Sequence, residues 1–192
     1  MKQIIDTHCH TIGSGHAYST VMEIAKEAKK KGLKMIAITD HGPGLPGSSH
    51  IFNILNTKVI PEKLYGVEIL KGVEANIMDF DGNLDVPASG LDKLDIVLAG
   101  LHEPALDPGT LEQNTNALIK AIQNPYVDVI VHPGNPKFPI DIEAVLEAAK
   151  ENETLIEINN SSLGVSRKGS YKNCFHIAEL CKEHGVRVIE IG

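Results

Sequence analysis

Short apolar runs alternate with amphipathic stretches along the whole chain. Seven of the runs read as strands: "KQIIDTH", "KMIAITDH", "EILKGVEAN", "DIVLAGLH", "VDVIVHP", "TLIEINN" and "VRVIEIG". They are brief, rich in β-branched residues and bounded by turn formers, which favours strand over helix. Helical patterns lie between them. "STVMEIAKEAKKKG" places Val21, Ile24, Ala25 and Ala28 on one face, with Ser19 expected as N-cap and Gly32 as C-cap. "TLEQNTNALIKAIQN", "DIEAVLEAAKEN" and "YKNCFHIAELCKEHG" repeat the pattern further on. The segment 76–92, with "DFDG" and "VPASG", predicts a hairpin or loop, and "HGPGLPGSSH" is too punctuated for a regular element. Strands joined through helices imply a largely parallel sheet, either an open doubly wound one or a (β/α) barrel. Periodicity does not separate the two.

Composition narrows the class. A chain of 192 residues, 42% hydrophobic and 22% charged, is expected to form one globular domain over residues 1–192. The formal net charge of −7 gives no general attraction to nucleic acid or anionic membrane, and four Phe, four Tyr and no Trp offer little for base stacking. No apolar run reaches the ~20 residues of a spanning helix, and "MKQIIDTHCH" has no signal-peptide core. Cys9, Cys174 and Cys181 form no CxxC pair, which argues against a disulfide framework. A reduced, cytoplasmic protein is expected.

The unusual residues fall where the apolar runs end. His8 and His10 close the first run, His41 the second, Glu74 the third, His102 the fourth and His132 the fifth. In a parallel sheet or barrel those ends share one face, where loops build the site. His8 and His10 are two apart and so point the same way, while Cys9 points oppositely and reads as a packing residue. His16 follows "GSG", a loop able to fold back over the same mouth. Crowded imidazoles would cost desolvation or mutual repulsion, which a divalent metal relieves by taking their lone pairs. His184 reads as a helix C-terminal residue and His176 as structural, while His50 has no role the sequence assigns.

Imidazole with carboxylate suits zinc first, and also manganese or iron. Seven ligands exceed the needs of one ion, so the site is expected to be multinuclear, with Glu74 the natural bridging carboxylate. Paired ions can hold both the entering and leaving oxygens of phosphoester hydrolysis. Other binuclear hydrolysis ranks second.

"DTHCHTIGSGH", "ITDHGPG", "GVEAN", "GLHEP" and "VHPGNP" resemble the motifs of the PHP (polymerase and histidinol phosphatase) superfamily, closest to its YcdX-like phosphatase branch. The resemblance runs over nearly the whole chain. It implies an α/β fold, a distorted (β/α)7 barrel, with two to three divalent metals at one face. His8, His10 and Glu74 would hold the first ion, Glu74, His102 and His132 the second, and His16 and His41 part of the third. Glu74, His102 and His132 would be the catalytic set, with a metal-activated water attacking phosphorus. The expected partner is a small-molecule phosphate ester, with no nucleic acid and no membrane. Arg167, in "NNSSLGVSRKGS", offers a planar fork of donors for phosphate, and Asp40 could orient an imidazole from behind.

The family pattern usually continues into a "GSDAH"-like motif and a closing helix, and the sequence ends at Gly192 before either. The expectations that follow are a weakened third site, Glu190 as a conceivable substitute ligand, and an uncovered flank suited to homo-oligomers. Reduced activity, or a catalytically impaired barrel with a binding role, is the alternative; a nuclease of the same superfamily is another.

Overall fold

The computed structural model describes residues 3–164 and 167–191, with side chains to residue 189. Its contacts define two compact units, Met1–Ala75 with Asp85–Val97, and Asn76–Leu84 with Leu98–Gly192.

In the first unit, β1 (Ile5–Cys9), β2 (Met35–Ile38) and β4 (Val67–Asn76) pair in parallel, and the short β3 (Lys63–Leu64) pairs antiparallel with β4. Helix α1 (Val21–Lys31) crosses from β1 to β2. Its N-cap is Thr20 rather than Ser19. The Thr20 hydroxyl accepts from the Glu23 N–H while the Glu23 carboxylate accepts from the Thr20 N–H, the reciprocal box that one hydroxyl a residue earlier could not close. Gly32 is the C-cap, in the left-handed region at φ 82°. Ala25 and Ala28 of α1 pack with Ile36, Ile38, Val67 and Ile69, and Cys9 packs against this cluster as expected. The Gly/Pro-rich loop leads into a short helix the sequence did not announce, α2 (Ile51–Leu55), whose N-cap is His50: its Nδ1 accepts from the Phe52 N–H at 3.1 Å.

Strand β1 carries a bulge. Asp6 pairs with Ile36 and Cys9 with Ile38, so three steps on β1 match two on β2. Asp6 and Cys9 therefore face the same side, and the Cys9 thiol hydrogen-bonds the Asp6 carboxylate. The Thr39 hydroxyl serves the irregular backbone, accepting from the Cys9 N–H at 3.1 Å and reaching the Thr7 carbonyl at 3.4 Å.

In the second unit, residues Leu98–Gly100 of β5 (Ile96–Gly100), β6 (Val129–Ile130), β7 (Leu155–Asn159) and β8 (Val188–Ile191) pair in parallel in that order. Helices α4 (Leu111–Ile122), α5 (Ile142–Glu151) and α6 (Ser170–His184) make the crossovers, and α3 (Ala88–Leu91) belongs to the first unit. Asn114 of α4 is fully buried and holds the loops around it, accepting from the Gly109 N–H and donating to the Gly109 and Pro139 carbonyls. The predicted hairpin closes at Ile77 and Leu84. Each of the seven strand-like runs is a parallel strand; the antiparallel β3 is the addition. No helix among the described residues is long and apolar enough to cross a membrane.

Candidate metal centre

Three parallel strands of the first unit bring four imidazoles and a carboxylate together. His8 lies on β1, His10 just beyond it, His41 follows β2, and Glu74 is on β4, where His41 and Glu74 form a parallel bridge. Glu74 is completely buried. Its Oε2 lies 3.1 Å from His8 Nε2, 3.2 Å from His10 Nε2 and 3.0 Å from His41 Nδ1. His8 Nε2 and His10 Nε2 are themselves 3.0 Å apart. His16 is carried back by the short 3-10 turn Ile12–Ser14, closed by Gly15 at φ 74°. Its ring lies 4.9 Å from those of both His10 and His41. Two triads, His8–His10–Glu74 and His10–His16–His41, have ligand atoms within 4.8 Å of one another. Ring nitrogens gathered against one another and against a buried carboxylate oxygen form a donor set that fits a divalent ion.

The second unit presents His102 after β5 and His132 after β6, with Nε2 atoms 3.2 Å apart and ring centroids at 5.1 Å. Gly100 makes the room. A Cβ there would lie 2.7 Å from Val131 Cγ2, 3.0 Å from His132 Cε1 and 3.2 Å from His102 Cε1. His132 sits at φ 38°, an uncommon conformation for a non-glycine residue. Its N–H donates to Glu157 Oε2 at 2.7 Å, which secures that backbone. Glu157, only 1% exposed on β7, was missed in the sequence because it lies within an apolar run rather than at its end. Arg167 is half-buried in the same unit and donates to Ser162 Oγ at 3.3 Å.

The remaining candidates are placed as follows. His176 is exposed on α6 beside Asn173, rather than packed as a structural residue, and His184 ends α6, where its carbonyl accepts from Lys150. The Glu190 side chain lies outside the described residues. Burial, with the Asp6 carboxylate alongside, pushes the Cys9 thiol well above its ordinary range, which suits packing and not ligation.

Fold and site together define an α/β protein of parallel strands whose ends carry histidine–carboxylate clusters able to hold metal. The chain belongs to the PHP domain family, whose model matches residues 6–164. It is 61% identical over 189 residues to a probable phosphatase of Thermoanaerobacter sp. (strain X514), an overlap that covers 98% of this chain and 77% of the relative. Solved structures share the fold at low identity. A Listeria monocytogenes protein provisionally assigned as a histidinol phosphatase superposes with TM-score 0.71 at 15% identity, covering 97% of this chain and 93% of that one. The histidinol phosphate phosphatase of Lactococcus lactis, solved with zinc, L-histidinol and phosphate, gives 0.63 at 16% identity, covering 99% and 85%.

Proposed function

We propose that the chain is a metal-dependent phosphatase acting on small-molecule phosphate esters, and that residues 1–192 work as a single PHP domain. The observation that carries the reading is the convergence of His8, His10 and His41 nitrogens on one buried Glu74 oxygen, all within 3.2 Å. The names of the relatives and the zinc and phosphate bound by the Lactococcus enzyme support it.

In this reading His8, His10, His16, His41 and Glu74 hold metal in the first unit, and His102 with His132 does so in the second. Two to three ions follow from that number of ligands, with zinc favoured by the donor set and manganese or iron as alternatives. Bound ions of this kind polarise phosphoryl oxygens and lower the pKa of water toward neutrality. The protein's part is to aim and to hold. Glu74 supplies negative charge where solvent is excluded, Gly100 keeps the His102 and His132 rings close, and the Glu157 carboxylate fixes the His132 backbone. Arg167 is assigned to the phosphate, where its guanidinium can offer two parallel donors. Glu74, His102 and His132 are the residues assigned to catalysis.

Elemental analysis of purified protein, with hydrolysis of p-nitrophenyl phosphate after adding zinc or manganese, tests the proposal. Bound metal with turnover is expected, and His10→Ala should lose turnover and the metal held in the first unit. Metal binding without turnover on any phosphomonoester would overturn the phosphatase reading and leave a binding role.

A further inference from the structure

The Asp40 carboxylate is 7% exposed and takes three hydrogen bonds of 2.6 Å: the Thr11 N–H and the Ser14 hydroxyl on Oδ1, and the Thr11 hydroxyl on Oδ2. Gly13 leaves space for it, since a Cβ there would stand 2.8 Å from Oδ2. The Ser14 hydroxyl has a single proton, and it donates that proton to Asp40. Two further groups approach the Ser14 oxygen. The His41 backbone N–H donates to it at 3.1 Å, and His10 Nδ1 lies 2.8 Å away. With only lone pairs left on Oγ, His10 Nδ1 must bring the proton.

We infer that Ser14, held by Asp40, is a positioning residue that fixes His10 as the Nδ1–H tautomer and so turns its Nε2 lone pair into the cluster. That nitrogen is the one 3.0 Å from His8 Nε2 and 3.2 Å from Glu74 Oε2. The opposite tautomer would put an N–H among the ligand atoms and force Ser14 to withdraw its proton from the carboxylate. The same oxygen fixes the backbone of His41, whose ring stacks on His10 at 4.6 Å, so one serine registers two ligands. Partners behind a metal-binding imidazole orient it and raise its basicity, and losing them costs roughly 10- to 100-fold in metal affinity.

The inference rests on the metal reading above, and the test keeps the two apart. Long-range ¹⁵N–¹H spectra of the chain, recorded without metal and again with zinc, read the His10 tautomer directly. Zinc affinity is measured by chelator competition for the wild type, Ser14→Ala and Asp40→Asn, with far-UV circular dichroism confirming that each is folded. The expected result is an Nδ1–H on His10 in the wild type and zinc bound at least tenfold more weakly by Ser14→Ala. Asp40→Asn, which keeps an acceptor oxygen for Ser14, should lie between the two. An Nε2–H tautomer, or Ser14→Ala binding zinc within about twofold of wild type, overturns the inference while leaving the metal reading intact. Absence of zinc binding by the wild type would instead sink the metal reading, and the positioning role with it.

Discussion

Replacing Gly15 by alanine tests whether the His16 loop is held by a backbone-to-backbone approach. Gly15 has φ 74°, and a Cβ would press on the Gly47 carbonyl, whose carbon would be 2.6 Å away. Gly66, in the same unit, is the matched control: its φ is 84°, but its Cβ would meet only Lys29 Nζ at 3.5 Å. The left-handed conformation costs alanine about 1–2 kcal/mol. A stiffer unfolded chain returns about 0.4–1 kcal/mol of that. Gly66→Ala should therefore lose about 1 kcal/mol. Gly15→Ala carries the same cost plus about 1–3 kcal/mol of overpacking, because Gly47 can yield only by moving backbone. The expected difference of about 2 kcal/mol is roughly 30-fold in the folding equilibrium. The chain has no tryptophan, so urea unfolding is best followed by far-UV circular dichroism. Equal losses in the two variants would refute the argument.

Two further outcomes follow from the buried thiols and from the 77–84 hairpin. Burial pushes the Cys181 thiol up to about 11, and raises Cys174, which also faces the Glu157 carboxylate, and Cys9. The folded chain should therefore react with a disulfide reagent at pH 8 about 100-fold more slowly than in urea; a fast native phase would contradict this burial. In the 77–84 hairpin, the Asn83 side-chain amide, donating at 2.8 Å, holds the Asp79 carboxyl below its ordinary value. A depressed acid stabilises the fold above its unfolded pKa and loses that contribution as pH falls through the folded value. Protection of the Asn83 N–H from exchange should be flat from about pH 5 to 8 and fall below about pH 4. Asp79→Asn should lack the acid step, and protection in the wild type that does not change with pH would count against it.

Much of this was legible in the sequence because two signals agreed. The β-branched runs gave all seven parallel strands, and the histidines and Glu74 stood at run ends, where parallel strands place their chemistry. Other parts left no such mark. The Thr20 and Ser19 hydroxyls are equally good caps in one dimension, and only the closure of the Glu23 box separates them. Helix α2 is one turn long, below the length at which apolar periodicity can be read, and depends on a histidine as cap. Glu157 was hidden because its role is to accept a backbone N–H from His132, a partner 25 residues away that no local pattern announces. The hydrogen bonds that tie Asp40 to Thr11 and Ser14 join segments far apart in the chain, a link no local pattern announces.

The bulge in β1 has a consequence for how such a chain can vary by descent. Residues before it are keyed to Ile36, and residues after it to Ile38, with one residue to spare between the two. Losing a residue inside that slack, at Thr7 or His8, shortens the chain toward a flush pairing and leaves Cys9 and His10 facing as they do. Losing one between Cys9 and Ser14 has no slack to draw on and turns ligands away from Glu74. Length variation among descendants should therefore collect at Thr7, whose loss removes no ligand.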